Sequence, residues 1–122
     1  MEKYERQLKK GVLELLVLRF VAEKETYGYE IITTLNRASG GMFCMKEGTL
    51  YPILYRLEDS GLIMSQLVDT GKGMSKKYYR ITPEGRRELE NRIQLWNTFY
   101  QKVNQILSEE IGREQYESGS IH

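Results

Sequence analysis

Apolar residues recur at helical spacing in three segments of the first half of the chain. Over residues 8–24 they cover most of the helix circumference, so this helix needs cover from its own core and from a second subunit. A second helix is predicted over residues 27–38, where a Ser-Gly-Gly run ends it. A third reaches about residue 60, and Pro52 places its start near residues 49–51, because proline is best tolerated in the first helical turn.

The pattern changes after the third helix. Residues 62–70 and 76–82 are rich in β-formers and flank a glycine-containing segment, which predicts a β-hairpin with a basic tip. Thr82, Pro83 and Glu84 are typical of a helix N-terminus, and no further proline interrupts a helix from Pro83 to about residue 110. At 1.5 Å per residue this helix is about 40 Å long, more than so small a domain can cover.

Composition excludes several classes of protein. The 122 residues suit one compact domain, and the longest apolar stretch, residues 12–22, contains Glu14 and Arg19 and is too short to span a membrane. The single cysteine, Cys44, cannot form an intramolecular disulfide, and the first residues lack an apolar signal segment, so we expect a cytoplasmic protein. With His122 as the single histidine, a Ser/His/Asp or Cys/His centre has no base. We therefore expect no enzyme activity, metal, cofactor or membrane partner.

Positive charge is concentrated in one stretch of a chain whose net charge is only +1. Residues 71–87 contain one acidic residue, Glu84, and six basic ones, which are Lys72, Lys76, Lys77, Arg80, Arg86 and Arg87. Binding to phosphates requires such a local excess, although charge runs are also common on ordinary solvated surfaces. Two consecutive helices followed by a hairpin with a basic tip are typical of a winged helix-turn-helix, whose second helix enters the DNA major groove.

The outward face of the third helix carries side chains that can contact double-stranded DNA: Thr49, Tyr51, Pro52, Tyr55 and Arg56. Hydroxyl groups donate to phosphates, and a guanidinium binds guanine or a phosphate. Two alternatives stay open, namely that Tyr51 packs as half-buried core and that Arg56 pairs with an acid. The predicted DNA-binding set also includes, at the second helix and in the hairpin, Tyr27, Tyr29, Lys72, Lys76 and Lys77.

Apolar residues along the last helix alternate at spacings of four and three, the pattern of a heptad seam. They are Leu89, Ile93, Trp96, Tyr100, Val103 and Leu107. The helix could pack back on its own domain, but the seam is longer than that core can cover, so we expect it to form a homodimer interface. A two-fold dimer would present two recognition helices to the two halves of an inverted repeat.

Trp96, the only tryptophan, lies in the middle of this predicted seam. Paired indoles across a two-fold axis would leave a slot in which a small aromatic or cationic ligand stacks. In the alternative interpretation Trp96 only fills the dimer interface, and Arg92 and Tyr100 occlude the slot.

Several runs of residues resemble the PadR family of bacterial transcriptional regulators. These are YGYEI from Tyr27, EGTLYP from Glu47, RLE from Arg56, GLI from Gly61, and KYYRIT from Lys77 with Gly85 after it. The resemblance covers residues 8–107, and the GTLYP and KYYR runs are specific to that family rather than to winged helices generally. The single last helix resembles the short subfamily, which dimerises through that helix alone. The resemblance implies a homodimeric, ligand-responsive repressor that binds an inverted repeat. It also implies an aromatic-lined pore between the last helices of the dimer and the first helix, with Leu15 and Ile93 as walls of the slot at Trp96.

Together these observations predict a mainly α fold with a small β-hairpin. We expect a winged-helix DNA-binding domain over residues 1–82, a C-terminal dimerisation helix over 83–111 and a disordered tail over 112–122. The expected partners are double-stranded DNA, a second copy of the chain and a small aromatic or cationic effector. The alternative function is a winged helix used only for protein interaction, without sequence-specific DNA binding.

Overall fold

The computed structural model of the chain describes residues 2–108, and the predicted tail over 112–122 lies outside them. The elements follow in the order α1 (Glu2–Glu23), β1 (Thr26–Tyr27), α2 (Gly28–Ala38), α3 (Glu47–Asp59), β2 (Ile63–Asp69), β3 (Ser75–Ile81) and α4 (Pro83–Leu107). The expected class, mainly α with a small hairpin and a long last helix, is confirmed. Among the described residues no helix is long and apolar enough to cross a bilayer.

Two helices begin earlier than the apolar pattern predicts. Helix α1 starts at Glu2 rather than near residue 8, because its polar first turns contain good helix formers and a Glu5–Lys9 ion pair of 3.7 Å at i, i+4 spacing. Helix α3 starts at Glu47 and contains Pro52 in its interior, so the predicted start at 49–51 is wrong. The proline is tolerated because the missing amide leaves the carbonyl of Gly48, an exposed residue, to solvent.

The three strands form one antiparallel sheet in the order β1-β3-β2. Strands β2 and β3 pair from Ile63 opposite Ile81 to Asp69 opposite Ser75, which is the predicted hairpin. Strand β1 adds Tyr27 opposite Tyr78. The periodicity of the sequence does not predict this short strand, which makes the sheet three-stranded.

The core of the first unit lies between the helices and one face of the sheet. Helix α3 contributes its predicted apolar face, and the buried residues from all elements include Val17, Leu18, Val21, Ile31, Leu35, Leu50, Ile53, Leu54, Leu57, Ile63, Tyr79 and Leu89. The chain divides into two compact units, Met1–Leu89 and Glu90–His122. The first turns of α4 therefore belong to the winged-helix unit, in whose core Leu89 is only 7% exposed.

Hydrogen bonds fix the start of α4 on the end of the sheet. The Thr82 hydroxyl accepts the Gly85 amide at 2.9 Å and donates to the Gly61 carbonyl at 2.7 Å. The Thr82 amide donates to the Leu62 carbonyl at 3.0 Å. Thr82 is thus the N-cap of α4 and joins this helix to the beginning of β2.

Candidate nucleic-acid interface

Helix α3 presents all of its predicted DNA-contacting residues on one exposed side. Its opposite side is buried in the core, which orients the helix. The exposed residues are Thr49, Tyr51, Pro52, Tyr55 and Arg56. Because the first and last of them are seven residues apart, this exposed side extends over about two helical turns.

Tyr51 is partly covered by the first residue of α2. A methyl group built on Gly28 would lie 2.5 Å from the Tyr51 hydroxyl oxygen, so the ring lies directly against this glycine. Tyr51 nevertheless stays 45% exposed. The side chain therefore packs against its own domain, as one alternative proposed, and still offers part of its surface to a ligand.

Arg56 forms an ion pair with Glu14 of α1. The distance from Arg56 Nη2 to Glu14 Oε2 is 3.5 Å, and the two side chains are 58% and 32% exposed. The alternative in which this arginine pairs with an acid is thus present in the structure. Since more than half of the Arg56 side chain faces solvent and a guanidinium has five N–H donors, it retains donors that can reach a phosphate or a base.

The hairpin, hereafter the wing (residues 63–81), carries its basic residues on the surface. Lys72 lies at the tip, between Gly71 and Gly73, whose φ angles of +83° and +70° favour glycine. Lys76 and Lys77 are exposed on opposite faces of β3. Arg80, Arg86 and Arg87 are exposed as well, so the whole basic cluster of residues 71–87 is available to an anion.

Strand β1 brings Tyr27 beside the wing. The Tyr27 ring contacts the Tyr78 ring edge-on, with centroids 5.2 Å apart, and the Lys76 ammonium lies 4.2 Å from the Tyr27 centroid. Tyr29, the second residue of α2, is exposed and available for a separate contact. Tyr27 and Lys76 thus come together although 49 positions separate them in the sequence.

Sequence reasoning missed Glu30, which organises the beginning of α2. Its carboxylate accepts the Thr26 hydroxyl at 2.6 Å and the Lys24 ammonium at 3.2 Å. The hydrogen bond from Thr26 has the largest effect and lowers the pKa of Glu30. Burial opposes it, while the hydrogen bond and charge of Lys24 and the charge of Lys76 lower the pKa further. An acid in the first turn of a predicted helix was the signal that could have identified it.

The second unit carries five of the six residues of the predicted seam. The sixth, Leu89, is buried in the core of the first unit rather than exposed to a partner. Ile93, Trp96, Tyr100, Val103 and Leu107 are all exposed along α4. Trp96 contacts Phe99 and Tyr100, with ring centroids 6.2 and 6.1 Å apart. Leu15, the other predicted wall of the ligand slot, lies in the first unit, where it packs beside the core. No group of three or more residues that could hold a metal ion occurs among residues 2–108.

Comparisons with known proteins agree with this architecture. Residues 17–91 match the transcriptional regulator PadR-like family. The chain is 35% identical to transcriptional regulator Rv3488 of Mycobacterium tuberculosis over 86 residues, which cover 69% of this chain and 75% of that protein. It is 27% identical over 105 residues to the negative transcriptional regulator PadR of Bacillus subtilis, covering 86% of this chain and 56% of the relative.

A crystal structure gives the same result for the fold. The PadR family transcriptional regulator of Eggerthella lenta superposes with a TM-score of 0.79 at 32% identity, over 88% of this chain and 91% of that one. The family match includes the helix-turn-helix and the wing described above. The chain therefore belongs to the PadR-like family of transcriptional regulators, which act by binding DNA and are not enzymes.

Proposed function

We propose that the chain is a cytoplasmic, homodimeric transcriptional repressor that binds an inverted-repeat operator through α3 and the wing. We further propose that a small aromatic or cationic ligand releases it from DNA. The observation that carries the proposal is the exposed apolar face of α4, which a single chain leaves in contact with water.

This face is wider than the predicted seam. Beyond the five exposed seam residues, it includes the exposed side chains of Leu95, Phe99 and Ile106. An exposed apolar face of this length is typical of a protein interface. It has more apolar positions per heptad than the two that a seam between two helices needs. A two-fold dimer places the same face of two copies together, so one helix can supply both sides of the interface.

The proposed dimer would contact DNA twice, once with each copy of the chain. Each copy would contribute one α3 helix to a major groove and one wing to the flanking phosphates, as in other helix-turn-helix dimers. The exposed basic cluster of residues 71–87 supplies the positive charge for the phosphates. The proposed repressor role is supported by the Bacillus subtilis relative, which is named a negative transcriptional regulator.

The aromatic residues of α4 support a ligand site. Trp96 is 39% exposed, and the Phe99 and Tyr100 rings are tilted by 36° and 34° relative to it. Such rings bind flat aromatic molecules by stacking and cations through their faces. In the proposed dimer, the two copies of this aromatic group would face each other near the two-fold axis.

Operator binding is tested by fluorescence anisotropy of a labelled duplex from upstream of the protein's own gene. We expect tight binding that survives a scrambled competitor and weakens steeply between 50 and 200 mM salt, by about 10³-fold or more for six phosphate contacts. Equal binding to the scrambled duplex would contradict a specific operator there. Absence of binding to any duplex at low salt would instead favour the protein-interaction alternative.

Ligand release is tested with tetraphenylphosphonium, an aromatic cation. Because Trp96 is the only tryptophan, a stacked ligand is expected to change its emission, and the same titration is expected to lower the anisotropy of the operator duplex. Tetraethylammonium, a cation without aromatic rings, is the control and should have a weaker effect. Unchanged emission at millimolar concentrations would show that Trp96 only fills the interface.

A further inference from the structure

We infer that Tyr27 positions Lys76 for a phosphate contact, by holding the lysine ammonium on the face of its ring. The inference rests on the proposed DNA contact of the wing and gives Tyr27 a role that does not require its hydroxyl group. Tyr27 acts through Lys76 and is a positioning residue rather than a DNA contact itself.

The sheet fixes the relative placement of the two side chains. Tyr27 pairs with Tyr78 across β1 and β3, and Lys76 lies two residues before Tyr78, so all three side chains share one face of the sheet. The Tyr78 ring meets the Tyr27 ring at an interplanar angle of 63°. This contact limits the rotation of Tyr27, and the Lys76 ammonium at 4.2 Å lies well within the distance at which a cation is attracted to a ring.

The Lys76 ammonium retains its capacity for a phosphate. Within residues 2–108 no carboxylate forms an ion pair with it. The nearby Glu30 carboxylate is instead occupied by Thr26 and Lys24. An aromatic ring orients a cation without neutralising it, whereas a carboxylate would compete directly with the phosphate.

The pair lies next in the chain to a contact between α2 and α3. Tyr51 of α3 lies against Gly28, the residue that follows Tyr27 in the chain. Tyr27 is therefore one residue from the point where α2 meets α3. A duplex that occupies the exposed side of α3 would have its flanking backbone close to this lysine.

The other two wing lysines differ from Lys76 in their surroundings. Lys77 lies on the opposite face of β3, 5.9 Å from the centroid of the buried Tyr79 ring. Lys72 has no ring contact among the described residues. Lys72 is therefore the matched control, because it has the same charge on the same wing without an aromatic platform.

The experiment compares the salt dependence of operator binding for Tyr27→Phe, Tyr27→Leu and Lys76→Met. The slope of log K against log salt is expected to stay at the wild-type value in Tyr27→Phe, which keeps the ring face. In Lys76→Met it should fall in magnitude by about 0.9, the value of one phosphate contact. In Tyr27→Leu the magnitude of the slope should fall by most of the same amount. In the Tyr27→Leu/Lys76→Met double variant it should fall no further than in Lys76→Met alone.

Other outcomes would overturn the inference. An equal loss in Tyr27→Phe and Tyr27→Leu would make the hydroxyl the contact, and additive losses in the double variant would show that Tyr27 and Lys76 act independently. In the Lys72→Met background, Tyr27→Leu should still reduce the slope, and an unchanged slope there would contradict its action through Lys76. Wild-type protein without salt-dependent binding would refute the proposed function itself, which is a separate result.

A second variant keeps the test valid if Tyr27→Leu does not fold. Replacing Tyr27 by trifluorophenylalanine preserves the shape of the ring but withdraws electron density from its face, which weakens attraction to a cation. We expect this variant to retain the thermal unfolding midpoint of Tyr27→Phe. The magnitude of its salt slope should fall by the amount expected for Tyr27→Leu. A slope equal to that of Tyr27→Phe would contradict the inference.

Discussion

Replacing Gly85 by alanine is expected to lower the free energy of unfolding by at least about 3 kcal/mol, the upper part of the range for overpacked sites. An added Cβ would overlap the Leu62 carbonyl oxygen and lie 2.7 Å from Ile81 Cγ1. The carbonyl cannot move away freely, because it accepts the Thr82 amide at 3.0 Å and shares the single hydrogen of the Thr82 hydroxyl, 3.1 Å away, with the Gly61 carbonyl. The substitution therefore separates α4 from the sheet or distorts the N-cap.

Chemical denaturation followed by far-UV circular dichroism measures this loss. Protein concentration must be equal for all variants, since the stability of a dimer depends on it. Gly48→Ala is the matched control, because this helical glycine has nothing within 4 Å of an added Cβ. We expect Gly48→Ala to stabilise the protein by about 0.5–1 kcal/mol. A Gly85→Ala variant within about 1 kcal/mol of the wild type would contradict the close approach of α4 to β2.

The sequence predicts most of the fold because its core elements are periodic. Leu50, Ile53, Leu54 and Leu57 recur at helical spacing, and the structure buries all of them. The cap at Thr82 and the turn glycines are equally local signals. Each of these features depends on residues close together in the chain, so sequence alone is sufficient to predict it.

The missed features depend on contacts between distant residues. Strand β1 has two residues, too few for any periodicity, and exists because β3 offers it a free edge. The predicted start of α3 at residues 49–51 was wrong for a local reason instead. The general preference for proline in the first turn does not hold here, because the carbonyl left without a partner belongs to the exposed Gly48.

The same limit applies to the candidate site. The sequence identifies Arg56 and Lys76 as basic residues suited to DNA, but not the neighbours that orient them. Glu14 lies 42 positions from Arg56, and only the packing of α1 against α3 places their charges 3.5 Å apart. Residue type therefore indicates which side chains can bind a phosphate, whereas tertiary structure determines which of them are held in place.

Replacing Val103 by glutamate is expected to convert the proposed dimer into a monomer. Val103 lies in the seam on the exposed face of α4, and two-fold symmetry would bring this face of both copies together. Each dimer would then bury two carboxylates that have no partner of opposite charge. Leaving one buried charge without its partner costs about 3–5 kcal/mol. Analytical ultracentrifugation at micromolar concentration measures the resulting dissociation.

Loss of the dimer should also reduce operator binding, by more than about 100-fold or roughly 2.7 kcal/mol, because a monomer engages only one half-site at a time. Gln101→Glu is the matched control, since it adds the same charge to α4 at an exposed position among polar neighbours. It should remain dimeric and bind the operator within a few-fold of wild type, because its charge stays in water. If Val103→Glu is still dimeric, the interface lies elsewhere. If it is monomeric and binds the operator as tightly as Gln101→Glu, two linked half-sites are not the basis of recognition.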